Sequence, residues 1–422
     1  MSEQHINTAE HSAVRLSTEE LLLLKKHDTS KLVDRIDFKS EVFYTGYFIG
    51  LDHLVPLDRN IYVGPKREAG RRLDYLKMLA TCLSHPGINL HSKDLFDIRF
   101  EAQPIRIRQQ DDLLTPLLIV QFLRATERVV RKGLQKGYYS KTENMTCKVR
   151  GRVLVSETIK RNHNRNNYLQ TWCKYQEFGL DTAPNRILNK TLQFVQRYAQ
   201  CLSANTLQLG EKLRFLRPAF AAVGTEVALA EIENYQPNPF YAEYSEAIAM
   251  ARLLLERFSY QLNAVSSDIY TSMPPFWIDM SKLFELYVLG KLQEALGPKE
   301  IIFQANGKFG YLDFLSTNEG EEMIIDAKYK YFYGEQWYDI DDVRQLSAYA
   351  RDRGLLAQLQ IPRERWPLTV LPCLIIYPDP KASSSLHRPS MLNQPIEQFE
   401  KFYRLGICLP VIHISLQNPD TL

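Results

Sequence analysis

No stretch of this sequence is apolar for long enough to cross a bilayer. Its longest apolar runs, such as Leu21 to Leu24 and Leu371 to Tyr377, fall far short of the roughly 20 residues a spanning helix needs. The amino terminus, MSEQHINTAEHSAVRLS, has no apolar segment of the kind that marks a secretory signal, so a cytoplasmic protein with no membrane partner is expected. Cysteine is sparse and scattered. The six residues Cys82, Cys147, Cys173, Cys201, Cys373 and Cys408 form no CxxC pair and have no histidine at zinc-finger spacing, which argues against a structural zinc site or a disulfide framework. A P-loop is also missing. Gly290-Lys291 and Gly307-Lys308 have Glu285 and Ile302 where the first glycine must stand, and Leu292 and Phe309 where Ser or Thr must follow. An excess of one charge is lacking too: 52 Lys and Arg against 49 Asp and Glu leave a net +3.

What is present is an ordinary globular composition, 45% hydrophobic and 24% charged over 422 residues, long enough for two or three domains. The near-neutral total conceals one asymmetry. Between Arg124 and Arg165 stand 12 basic and 3 acidic residues, a local +9. Such a stretch can follow phosphates, though a charge run by itself more often describes a solvated helix face.

Periodicity predicts the elements. STEELLLLKKH reads as a short helix with Ser17 as cap and Glu20 three residues on. The span 43–66, aromatic and β-branched with Gly46, Gly50, Pro56, Asn60 and Gly64 as punctuation, reads as a small β-rich module. Helices are expected over 111–133, after the start signal at Asp181, Thr182 and Pro184, and over 244–262. A strand is expected over Cys147–Ile159, and the basic turn 160–167 is taken as a domain boundary. After Pro274-Pro275, an amphipathic helix at Met280–Leu296 leads into strands GYLDFL and MIIDAKYKYF. A helix at 343–352 and strands at 368–377 and 406–416 complete a mixed α/β order. The expected domains are a leader (1–40), a β-rich and helical module (41–165), and a helical segment running into an α/β domain (166–422, core 276–416).

The strand pair carries the chemistry. Asp313 lies in the first strand and Asp326 in the second. Side chains alternate along a strand, so Asp326 and Lys328 share a face, and a hairpin turning at STNEGEE brings Asp313 towards them. Two carboxylates are a common way to hold Mg²⁺, and a lysine beside them can stabilise charge on a phosphate. A bare D-x-K is short and common, and alone it describes an edge strand with solvated charges. Two features argue against that reading: the apolar MII before Asp326, where a lone aspartate would be costly, and the second aspartate in the neighbouring strand. The pattern is that of the PD-(D/E)xK nucleases. In proteins of that superfamily the helix before the hairpin often lends an acidic residue and the helix after it a polar one, which the resemblance places at Glu285 and Gln345, with Tyr349 one turn beyond.

The ordered segments GYFIGL, IYVGPK, VRGRV, CKYQEFGLDTAPNRILNKTL, FWIDMSKLFELYV, LDF, IIDAKYK, RQLSAYA and LIIYP resemble the McrC family over about residues 43–416. The resemblance implies the nuclease subunit of a modification-dependent restriction system with a role in antiviral defence. It implies a C-terminal PD-(D/E)xK domain, a central mixed sheet flanked by helices, and an N-terminal part that meets an McrB-like AAA+ GTPase hexamer and stimulates it. Its implied site is Asp313, Asp326, Lys328, Glu285 and Gln345. Of these, Asp313, Asp326 and Glu285 would bind Mg²⁺, with Mn²⁺ as the alternative, and the substrate would be methylated double-stranded DNA. Tyr47, Pro65 and Lys66 fall in the part that would face the motor, but turn and strand geometry explain them equally well. Arg150, Arg152, Asp181, Asn185 and Arg186 lie in matched segments without being assigned to a site. Two other readings stay open: a stand-alone nuclease, and a non-catalytic adaptor of an AAA+ ring. The first forty residues match no part of the family pattern.

Overall fold

In the computed structural model of the protein, the first helix begins as its sequence directs. The structure describes residues 5–27, 31–68, 71–82, 95–99, 102–108, 113–201, 209–228, 231, 235, 239–262, 270–308, 310–318, 320–330 and 338–413. Helix α1 (Thr18–Lys26) opens with a complete capping box: the Ser17 hydroxyl accepts from the Glu20 amide and Glu20 reaches back to the Ser17 amide. Leu21 and Leu24 are fully buried beneath it.

The chain forms two compact units, one of residues 1–114 with 266–422 and the other of residues 115–265. The first unit holds two five-stranded sheets. One has the spatial order β1 (His5–Ala9), β3 (Arg59–Gly64), β2 (Phe48–Leu54), β5 (Phe276–Asp279), β4 (Phe96–Ile98). The leader therefore does not end in polar flanks: His5–Ala9 pairs in parallel with Arg59–Gly64 from Asn60 to Gly64. Pairing of β2 with β5 requires Gly50, where a Cβ would stand 2.1 Å from the carbonyl oxygen of Phe276.

The second sheet is β6 (Ile301–Gly307), β7 (Gly310–Ser316), β8 (Met323–Ala327), β9 (Cys373–Pro378) and β10 (Phe402–Ile407), in that spatial order. Strands β6 to β8 run antiparallel, while β8, β9 and β10 are parallel. It is a mixed α/β sheet. Strand β6, which the sequence pattern did not mark, supplies the first edge. The turn and strand residues expected at 331–332 and 414–416 lie outside the described residues.

Helix α2 (Met280–Leu296) packs against both sheets of this unit. Asp279 caps it by accepting from the Lys282 amide, and it stops at Gly297. The sequence suggests one apolar face, but Leu283, Phe284, Leu286, Tyr287, Val288, Leu289 and Leu292 are all buried. A helix apolar on nearly every side is a central one rather than a surface one. The opposite face of the second sheet is covered by α3 (Ile340–Tyr349) and α4 (Arg353–Gln358). There Ile324, Ile375, Cys373, Val343, Leu346 and Leu355 form one core.

The second unit carries helices Leu114–Lys132, Ala183–Cys201 and Glu243–Leu262 and a three-stranded sheet. The strand expected over Cys147–Ile159 is displaced. The long strand is Gly137–Thr146, paired along its whole length with Gln170–Gly179, while only Arg152–Val153 of the expected segment pairs, and Val155–Arg161 is helical. The alternating pattern Gly137–Thr146 is polar on both faces, which hides a strand that buries little. The basic turn 160–167 connects that helix to Gln170–Gly179. No helix among the described residues is long and apolar enough to cross a membrane.

Candidate active site

The β7–β8 ladder stops where the acidic residues begin. Paired residues run Phe314 with Ile325, Leu315 with Ile324 and Ser316 with Met323, and the same register continued by one residue sets Asp313 opposite Asp326. Instead of continuing the ladder, the Asp313 carboxylate accepts the Ala327 amide hydrogen at 2.9 Å. Strand β8 runs on beside β9, where the Lys328 amide donates to the Ile376 carbonyl at 2.9 Å. The two aspartates thus stand at a fork in the sheet, one on each branch.

Asp326 is almost fully buried, on the same face as Ile324, under α3. Its Oδ2 lies 2.8 Å from the Lys328 ammonium, an ion pair rather than an aligned hydrogen bond. The same ammonium donates to Gln345 Oε1 at 3.2 Å and lies 3.7 Å from Asp342. Gln345 sits on the exposed side of α3, while Asp342, one turn earlier, is buried. Gln345 and Lys328 therefore meet as the D-x-K spacing and the following helix suggested.

Electrostatics tie Glu285 and Asp313 to the same spot. Burial, then the charges of Asp279 and Asp326, push the Glu285 carboxyl up to about 7. Burial, then Asp326 and Glu285, hold Asp313 well above the usual carboxylate range. Burial also raises Asp326, with Lys328 acting the other way. For Lys328, burial works against the charge, but the neighbouring Asp326 and Asp342 outweigh it and lift the ammonium to about 12. Three carboxylates that repel one another around a fork are a place where a divalent cation is electrostatically favoured. The donors are hard oxygens, the kind that Mg²⁺ takes. Among the described residues no three His, Cys, Asp or Glu side chains converge into a ready-made cage. Mg²⁺ does not need one, since it keeps several waters and is held through one or two carboxylates plus substrate phosphates. Asp313 and Asp326 fit that demand directly, and Glu285 fits through charge rather than through a contact.

Other residues singled out in the sequence lie elsewhere or do structural work. The Tyr349 hydroxyl donates to the Tyr311 carbonyl at 3.0 Å, fastening α3 to β7. Asp181 pairs with Arg186 at 2.6 Å and accepts the Gly224 amide. Asn185 donates to the carbonyls of Gln135 and Leu180 and accepts from the Tyr244 hydroxyl. Arg150 stacks on Tyr175 at 4.3 Å, and Arg152 pairs across to Lys174 in its small sheet. Tyr47 packs edge-on to His11, 4.2 Å between ring centres, and the Lys66 amide donates to Glu10.

Sequence reasoning missed Asp342, Lys330 and Glu10. Asp342 was findable, because it precedes Gln345 by three residues and so shares its helix face.

The description "McrBC 5-methylcytosine restriction system component" matches residues 56–355. This chain belongs to the McrBC family. All five expected site residues fall inside the matched span. Among solved structures, the chain is similar to a refined half-complex from a tetradecameric assembly of Thermococcus gammatolerans McrB AAA+ hexamers with bound McrC. That likeness has 15% identity and a TM-score of 0.40, and covers 99% of this chain and 97% of that one. It is also similar to the cryo-EM structure of the Thermococcus gammatolerans McrBC complex, at 17% identity and a TM-score of 0.29, over 68% of this chain and 87% of that one. No curated protein matches.

Proposed function

We propose that this McrBC-family chain is the DNA-cutting subunit of a 5-methylcytosine-dependent restriction system, a Mg²⁺-dependent endonuclease on a PD-(D/E)xK scaffold. The observation that carries the reading is the fork between β7 and β8. It brings Asp313, Asp326 and Lys328 together at the end of a buried strand, a costly arrangement unless it serves a purpose. Mg²⁺ would be held by Asp313 and Asp326, with Glu285 as the third carboxylate, and when bound it supplies neutralisation of the charge that develops on the scissile phosphate.

The chain's own residues divide the remaining work. Lys328 keeps its proton throughout the neutral range, so it acts as a fixed cation and hydrogen-bond donor to a phosphate oxygen rather than as a base. Gln345 accepts one of its N–H groups and fixes the direction of the others. Glu285, whose carboxyl burial and the charges of Asp279 and Asp326 push up to about 7, is the carboxylate that a bound cation would return to its ionised form.

The family description names a component of a system, which supports partners. The partner is an AAA+ GTPase hexamer, whose GTPase the chain stimulates, since this sequence has no P-loop of its own. The substrate is methylated double-stranded DNA in the cytoplasm. The test is cleavage of methylated and unmethylated plasmid in Mg²⁺ by wild type and Asp326→Ala, with and without the GTPase. Cutting that depends on the partner and GTP and vanishes in the variant supports the reading. Equal cutting by Asp326→Ala overturns the site. Cutting without any partner favours a stand-alone nuclease, and no cutting with a rise in partner GTPase favours an adaptor.

A further inference from the structure

Behind Lys328 the acidic and basic side chains alternate in one unbroken series. From Asp326 the contacts run to Lys328 at 2.8 Å, from Lys328 to Asp342 at 3.7 Å, from Asp342 to Lys330 at 2.9 Å, and from Lys330 to Asp339 at 2.9 Å. We propose that Asp342, balanced by Lys330, is the positioning residue that holds the Lys328 ammonium between Asp326 and Gln345. The proposal rests on the reading of Asp326 and Lys328 as the cutting site.

Three observations carry it. Asp342 is 7% exposed, and a carboxylate that deep is expensive unless cations repay the lost hydration. Among the described residues, the two lysines just after strand β8 stand against it, at 3.7 and 2.9 Å.

The backbone is bent to present both lysines. The Lys328 amide is fixed to the Ile376 carbonyl, and the Lys330 amide turns back onto the Lys328 carbonyl at 2.7 Å. Lys328 and Lys330 consequently reach the first turn of α3 together. Asp339 closes the arrangement: as the cap of α3 it accepts the Asp341 amide at 3.0 Å while also receiving Lys330. The start of α3 is thereby clamped to the end of β8, and Asp342 and Gln345 sit one turn apart on the side that meets Lys328.

The distances divide the labour. Asp342 is nearer to Lys330 than to Lys328, so Lys330 takes most of its attraction. Lys328 meets Asp326 at 2.8 Å, and Asp342, at 3.7 Å, is a second carboxylate that shares its charge without drawing it off the site. Without Asp342 the ammonium keeps its contacts to Asp326 and Gln345 among the described residues, and its charge falls more fully on the carboxylate that the reaction needs free. Without Lys330, Asp342 competes for Lys328 at full strength. Either loss misplaces the donor by a fraction of its reach, and a displacement of ~1 Å at a reacting centre costs about 100-fold in rate.

The experiment compares wild type, Asp342→Asn, Asp342→Glu and Lys330→Gln in full-length protein with the GTPase partner, Mg²⁺ and methylated plasmid, with Asp326→Ala as the reference for the site. Asp342→Asn is expected to lose about 10- to 100-fold in kcat while KM for DNA stays within about twofold, and Asp342→Glu to recover part of the rate. Lys330→Gln is expected to lose kcat in the same way, and it carries the test if Asp342→Asn does not fold. The proposal is overturned if Asp342→Asn and Lys330→Gln cut at the wild-type kcat while Asp326→Ala is inactive. It is overturned equally if the loss lies in KM, or if Asp342→Glu is no better than Asp342→Asn. If Asp326→Ala cuts like wild type, the nuclease site itself is wrong and the positioning role falls with it.

Discussion

The hydroxyl of Tyr329 donates a 3.0 Å hydrogen bond to Oε1 of Glu10, 319 positions earlier in the chain. Tyr329 follows Lys328 directly, and its ring packs 5.5 Å from that of Phe284, the neighbour of Glu285. The leader is therefore fastened to the segment after β8 that carries Lys328 and, through the Tyr329 ring, to the helix that carries Glu285. Glu10 also accepts the Lys66 amide at 3.0 Å, yet it is fully buried and its Oε2 has no hydrogen-bond partner among the described residues.

That burial gives a pH signature. Desolvation lifts the Glu10 carboxyl from 4.5 to about 7. The folded state thus holds its proton more tightly than the unfolded chain. The contribution is fully present below about 4.5 and is lost as pH rises through about 7, amounting to roughly 3 kcal/mol across that window. Glu10→Gln keeps an acceptor for Tyr329 and removes the titration. Urea denaturation at pH 5 and pH 8 is expected to show a smaller loss of stability with pH in the variant than in wild type. An identical loss in both would show that Glu10 is not the group responsible.

Much of this site was legible in the sequence because local patterns specify it. Alternation puts Asp326 and Lys328 on one face, the MII run marks a buried strand, and Gln345 follows at helical spacing. Helix α1 was legible from its cap and α2 from its apolar content. What escaped has a common cause. Strand His5–Ala9 is short and polar, and its place comes from a parallel neighbour more than fifty residues on. Strand Gly137–Thr146 is held by its ladder to Gln170–Gly179 rather than by a buried face. Glu10 reads as an ordinary surface glutamate until the fold closes over it. Long-range pairing and burial of polar groups leave no periodic trace.

Like charges held together at the site should cost stability. Asp313 is pushed up by burial and by the charges of Asp326 and Glu285, so its ionised form strains the fold. Asp313→Asn removes the charge and keeps an oxygen for the Ala327 amide. The variant is expected to be more stable than wild type by roughly 1 kcal/mol at pH 8 without divalent ions, read as a higher unfolding temperature, as functional sites often trade stability for activity. It should also lose cleavage by about 100-fold or more. A variant no more stable than wild type would mean that the carboxylate repulsion is relieved in some other way.

Protons and a divalent cation should compete for the same oxygens. With Glu285 titrating near 7 and Asp313 raised as well, the site takes up protons as pH falls through neutrality. Mg²⁺ affinity, followed by calorimetry, is therefore expected to be weaker at pH 6 than at pH 8, with protons released on binding. Glu285→Gln is expected to flatten that dependence. Equal dependence in wild type and variant would remove Glu285 from the metal site.

Gly151 lies in the unit that does not carry the acidic fork, at a close approach to the neighbouring strand. Gly151 has φ +70°, and a Cβ there would stand 2.5 Å from the Lys174 carbonyl oxygen and 2.7 Å from Tyr175 Cβ. The chain comes so near because Arg152 and Val153 pair with Lys174 and Cys173, and because the Leu154 amide donates to the Trp172 carbonyl at 2.8 Å. Neither atom facing the glycine is the free end of a flexible side chain, so the neighbour cannot yield cheaply. Gly151→Ala must adopt a left-handed backbone with a Cβ and also push the strand away, a cost of about 1–3 kcal/mol. Hydrogen exchange should accelerate across 151–154 and 172–175, while Mg²⁺ binding at the fork stays at the wild-type affinity. Unchanged exchange in that segment would mean that the small sheet can part from residue 151 without loss, and that the glycine in VRGRV answers to something other than this contact.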